Sequence, residues 1–290
     1  MIALRHIKIV ALLALALVAA GGVAVAAIPR LRGYLMARLN DPKDLPALTS
    51  DGRVHFQSEA ETCAVEVASL LPAAVARIET AQGRAFARAP VIGVYASYET
   101  YARANTLENP LVAAVSWSGR VVLSPTLCGG ERARLPAVLT HELSHAHLFG
   151  WRSSPFSRRP PSWFTEGLAV IVSDGGGAEG VSDTQAADAI RKGYAIVVTT
   201  DGRWTDFSSI RFETEPPRDP SREDVVTPRQ RLAYRQAAMF VAWLRERDPK
   251  AFAGLLQRIE DGESFKDAFT ANFASSPSEQ WRNFVSHLSK

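Results

Sequence analysis

Apolar positions recur at two different periods along this chain, and the change of period marks out its elements. Between Glu59 and Gln82 the residues Val65, Val67, Leu70, Leu71, Ala74, Val75 and Ile78 fall close to helical spacing, so a helix is expected from near Ser58. Val91 to Ala96, Leu111 to Trp117 and Arg120 to Leu123 are short β-rich runs instead, and Ser118 with Gly119 predicts a tight turn joining the last two as a hairpin. Helical spacing returns from Leu135 to Phe149. It returns again from Ser162 through Trp163, Phe164, Leu168, Ile171 and Val172, until Gly175 to Gly177 end it. Thr227 and Pro228 form an N-cap and first-turn pair for a helix to about Arg247, and further helices are expected from Pro249, Ser264 and Pro277. Trp243, Phe252, Phe265, Phe269, Phe273 and Trp281 recur at helical spacings and read as core rather than as an aromatic ligand box.

The N-terminus follows neither period. Arg5 and Lys8 precede a run from Ile9 to Ile28, 20 residues without a charge, which Pro29, Arg30 and Arg32 end. As a helix it would span roughly the 30 Å of a bilayer's hydrocarbon core. The run reads as an export signal, either a signal peptide cleaved near Ala24, Val25 and Ala26 or an uncleaved anchor, the latter favoured by its length. Arg30, Arg32 and Arg38 balance Arg5 and Lys8, so charge leaves the orientation undecided. Residues 31–52, punctuated by Asp41, Pro42 and Pro46, read as a tether. The folded domain is then 53–290, divided into a sheet-bearing part (53–200), a Pro-rich loop or lid (201–226) and a helical part (227–290). The chain is expected on the extracytoplasmic side, associated with the membrane through this segment. Cys63 and Cys128 there fit either one disulfide or two buried thiols.

A hydrophobic content of 47% over 290 residues suffices for one large domain or two small ones. The net charge of +3 comes from the N-terminal segment: once Arg5, Lys8 and Arg30 are set aside, 30 basic residues face 30 acidic ones. A nearly neutral folded part lacks the positive excess that phosphate binding needs, so no nucleic-acid partner is expected.

The chemistry concentrates in His141, Glu142, Leu143, Ser144 and His145, an HExxH string on an expected helix. Residues four apart share a helical face, so both imidazoles can converge on one cation, with Glu142 beside its open position. A third ligand is offered by Glu166, 21 residues after His145, in the stretch Pro161 to Ala169. His147 points to the opposite side of the helix from the two ligands and reads as a packing or surface residue. Arg158 and Arg159 read as a solvated loop beside the site, placed where they could meet an acidic or carboxylate-ended substrate.

HExxH followed by Trp163, Glu166, Gly167 and Ala169 resembles the gluzincin metallopeptidases, most closely the peptidase MA-like bacterial proteins, over roughly residues 90–290. The resemblance implies an α+β domain: a small mixed sheet, an HExxH helix, a glutamate helix and a helical C-terminal half. It implies one Zn2+ on His141, His145 and Glu166, Glu142 as general base, and an edge strand in 115–123 that binds an extended peptide or protein substrate. Tyr234, in Leu232 to Gln236, falls where related sequences carry an aromatic residue and is a candidate for oxyanion stabilisation. Two departures stand out. Val170 occupies the position where thermolysin-like enzymes have an Asp that orients a histidine, which leaves Asp174 as the candidate partner. Thr165 stands where aminopeptidase N has Asn, and no Gly-rich exopeptidase motif is visible, which disfavours aminopeptidase activity. A non-catalytic binding protein on the same fold, or a hydrolase of another amide or ester, remains open.

Overall fold

The computed structural model describes residues 28–151, 159–202, 209–217 and 228–288. The apolar run up to residue 27, Arg158, Thr227 and much of the expected 201–226 loop lie outside the described residues. Among those described, no helix is long and apolar enough to cross a membrane.

Five short strands form one mixed sheet: β1 (Ala47–Leu48), β2 (Asp51–Phe56), β3 (Val91–Val94), β4 (Ala114–Trp117) and β5 (Arg120–Leu123). Their order is β1-β2-β3-β5-β4; β2, β3 and β5 run parallel, while β1 and β4 close the two edges antiparallel. The expected hairpin forms with Trp117 opposite Arg120, and Ser118 and Gly119 both take positive φ, 45° and 77°, as a two-residue turn of this hand requires. The consequence for function is that β4 is an edge strand.

Ten helices are described. α1 (Pro29–Leu39) precedes the sheet, α2 (Glu61–Gln82) follows β2, and α3 (Tyr98–Ala104) follows β3. After β5 come α4 (Leu135–Gly150), α5 (Ser162–Val172), α6 (Asp183–Arg191), α7 (Pro228–Arg247), α8 (Pro249–Glu260), α9 (Phe265–Phe273) and α10 (Pro277–Leu288). The fold thus mixes helices with one small mixed sheet, consistent with the expected α+β class. α2 buries Cys63, Ala64, Val67, Leu71, Ala74 and Ile78 on one face and packs on α4. Of the two states left open for the cysteines, the structure has the bridge, Cys63 to Cys128, which pins α2 to the turn leading into α4. The C-terminal aromatics are core: Trp163 on α5 lies 5.1 Å from Phe240 and 5.7 Å from Phe265, and Phe240 lies 5.1 Å from Trp281.

The expected tether is a correction. Residues 29–39 are helical and residues 47–48 pair with β2, so the segment belongs to the folded body. The pattern hid this because α1 buries only Gly33 and Ala37, residues too small to register as an apolar stripe. At Gly33 the contact is close enough that a Cβ would overlap the Thr106 carbonyl.

His147 is fully buried on the far side of α4, its ring nitrogens 2.7 Å from Gln82 Oε1 and 2.8 Å from the Arg84 carbonyl oxygen. Glu260 sits 3.7 Å away. Burial pushes the Glu260 carboxyl up to about 7, only partly countered by Arg84, and burial pushes His147 down. Between the ordinary carboxylate range and neutrality the unfolded chain sheds this proton while the folded chain keeps it, so stability falls as pH rises through that window. Glu260→Gln is therefore expected to stabilise the chain by roughly 2–3 kcal/mol at about pH 8 and by little at about pH 5, read from denaturant midpoints.

Candidate metal centre

Helix α4 is buried along most of its length and presents His141 and His145 on one face, ring centroids 4.8 Å apart. Helix α5 packs against it and brings up Glu166, buried like both histidines. The His141 and His145 Nε2 atoms are 3.1 Å apart, and Glu166 Oε2 lies 3.2 Å from the first and 3.4 Å from the second. His141 Nδ1–H donates to the Gly176 carbonyl at 2.8 Å, which turns the Nε2 lone pair toward the same point. Three lone-pair-bearing atoms converging this closely could hold a metal ion. The electrostatics agree. Burial drives the Glu166 carboxyl up, but His145 and His141 outweigh it and hold the group well below the usual carboxylate range. Burial likewise opposes charge on His141 and is outweighed by Glu166 and Glu142, so its pKa is raised and the cluster favours positive charge at its centre.

Glu166 is placed by the glycine that follows it. A Cβ on Gly167 would stand 2.6 Å from the Ala237 carbonyl oxygen and 2.8 Å from Val241 Cγ2, so only glycine lets α5 approach α7 this closely. Gly167→Ala is expected to cost about 1–3 kcal/mol through forced separation of the helices, measured by denaturant unfolding.

The residue that orients His141 was misassigned in the sequence. Asp174 does not reach the histidine: its side chain is 73% exposed and pairs with Arg77 at 2.5 Å. The Gly176 carbonyl takes that place, and Gly177, at φ 84°, lies flat against the ring, where a Cβ would stand 2.9 Å from His141 Cε1. The run of three glycines was the available sign, although it reads equally as a helix stop. Gly177→Ala should displace the imidazole and weaken metal binding by about 10–100-fold in a competition titration, with the fold kept by circular dichroism.

Glu142, half-buried, lines a cavity of about 310 Å³ together with the three cluster residues, Tyr234 and the β4 edge from Ala114 to Trp117. The Tyr234 ring stacks on His141, centroids 6.2 Å apart, and the Gln230 amide donates to its hydroxyl at 2.9 Å. His141, Glu142, His145, Glu166 and Tyr234 therefore line one cleft, and Asp174 does not. Arg159 lines it as well, and not from a loose loop: Gly202 N–H donates to its carbonyl at 3.0 Å, and its guanidinium sits 5.2 Å from the Phe149 ring centroid. Sequence reasoning missed Gln230, and it missed Arg30 and Tyr34 of α1, which also line the cavity. Nothing in segments read as the end of an export signal and a tether pointed to Arg30 and Tyr34. No family model, no curated protein and no solved structure matches the chain.

Proposed function

We propose that this chain is a zinc-dependent metallohydrolase of gluzincin type that hydrolyses peptide bonds on the extracytoplasmic side of a membrane. The triangle of ligand atoms carries the reading. A tetrahedral zinc with bonds of about 2.0–2.2 Å separates its ligands by about 3.3–3.6 Å, close to the 3.1, 3.2 and 3.4 Å found here. Two imidazoles and one carboxylate suit zinc, and the three protein ligands found among the described residues leave a position open, as catalytic sites do and structural ones do not. The apolar N-terminal run and the Cys63–Cys128 bridge, a bond that persists in oxidising compartments, support the location.

When bound, zinc lowers the pKa of a water toward ~7 and polarises the scissile carbonyl. In this reading Glu142 accepts the proton released as water attacks and returns it to the departing amine nitrogen. The β4 edge holds an extended peptide by backbone hydrogen bonds, which favours affinity over side-chain selectivity. The Tyr234 hydroxyl, steered by Gln230, donates to the developing oxyanion. The test is cleavage of a peptide library by the full chain in detergent. Hydrolysis lost to a chelator, restored by zinc and missing in Glu142→Gln supports the proposal; a zinc-loaded chain that cleaves nothing leaves a binding protein.

A further inference from the structure

The described residues expose nine large apolar side chains, and eight of them lie on α1, at the start of α3 and in the 107–111 segment: Ile28, Leu31, Tyr34, Leu35, Leu39, Tyr98, Leu107 and Leu111. On α1 they form a stripe. Ile28, Leu31, Leu35 and Leu39 recur three and four residues apart, opposite the buried Gly33 and Ala37. The pieces are fastened together: Arg32 pairs with Glu108 at 2.8 Å, Tyr34 OH lies 3.1 Å from Ser118 Oγ, and the Tyr34 ring meets Trp117 edge-on at 6.0 Å. Scattered exposed apolar residues are ordinary on a protein surface, but so many gathered on one face mark a contact.

Two observations identify what the contact is. The 20-residue uncharged run Ile9 to Ile28 ends on the first residue of this stripe, so the face is continuous in sequence with a segment of membrane-spanning length. α1 itself carries Arg30, Arg32 and Arg38, all exposed, and no acidic residue, while Arg32–Glu108 and Arg103–Glu99 form ion pairs among the apolar side chains. An apolar face with a basic rim, continuous with a segment of membrane-spanning length, fits the interfacial region of an anionic bilayer. We infer that the face built from α1, the start of α3 and residues 107–111 rests on a lipid bilayer, with the mouth of the cleft opening onto it. Tyr34 and Leu107 belong to both the face and the cleft wall, so the cleft meets the membrane surface at its rim. A chain segment must then lie at the headgroup level to enter, which selects juxtamembrane or membrane-attached polypeptides over freely diffusing ones. The docking face stands whether or not the site is a peptidase, since no part of it rests on catalysis.

Both native cysteines are bridged, so one introduced cysteine can carry a fluorophore alone. The full chain is reconstituted into phosphatidylcholine–phosphatidylglycerol vesicles with a label at Leu35→Cys, Leu111→Cys or, as control, Val65→Cys, an exposed position on α2 outside the face. Headgroup-attached nitroxide lipids are expected to quench the first two labels several-fold more than the third. Adding Leu31→Glu with Leu107→Glu should drop the Leu111 signal to the control level while the chain stays with the vesicles and keeps its circular dichroism. Quenching at Leu35 and Leu111 no greater than at Val65, whether the chain is bound or released, overturns the inference; energy transfer between Leu111 labels in that case would assign the face to a second copy.

Discussion

On the proposed function, Glu142→Gln is expected to lower peptide hydrolysis by about 10³-fold or more while metal content stays that of the native chain. The amide keeps the size of the carboxylate but cannot accept the proton of the attacking water at neutral pH. Because Glu142 lines the cavity without belonging to the ligand triangle, its replacement leaves His141, His145 and Glu166 intact. Loss of turnover without loss of metal is the signature of a base. Loss of both would make Glu142 a structural part of the centre, and retention of turnover would move the base elsewhere in the cleft. Zinc analysis and steady-state rates on the same preparation separate these outcomes.

Breaking the Cys63–Cys128 bridge is expected to lower stability by about 4 kcal/mol, the loop-closure value for cysteines separated by 65 positions. The bridge joins α2 to the turn that precedes α4, and α2 packs along the same helix. Its loss therefore loosens the helix that carries two of the three residues of the candidate metal centre. The Cys63→Ser, Cys128→Ser double variant should melt about 10 °C below the native chain, and metal binding should return part of the loss by mass action. An unchanged midpoint would mean that packing alone fixes α2 on α4.

The parts of the fold that were legible in the sequence are those that pack large apolar residues at a clear period. α2, α4, α5 and the C-terminal helices bury Leu, Ile, Val, Phe and Trp at helical spacing, and the β4–β5 hairpin announces itself through Ser118 and Gly119. Elements that bury small residues or few residues were not legible. α1 buries a glycine and an alanine; α3 and α6 span seven and nine residues, with only Ser97 and the Ser182–Gln185 capping box to mark them. At the centre, His141, Glu142, His145 and Glu166 stood out because ligands must be particular residue types at helical intervals. The group that orients His141 did not, because it is the backbone carbonyl of Gly176, and a carbonyl leaves no mark in a sequence. Gln230 was invisible for a different reason: its role depends on Tyr234 lying one turn further along α7, and that pairing gains meaning only once α7 is known to face the cleft.

The most direct test is zinc content, by elemental analysis, of the full chain purified in detergent beside Glu166→Gln and His145→Ala, with folding of each checked by circular dichroism. The triangle of His141, His145 and Glu166 predicts one zinc per native chain and close to none in either variant. A folded native chain that takes up no zinc when it is supplied, or variants that bind it as well as the native chain does, would contradict the assignment of the metal centre and the chemistry built on it.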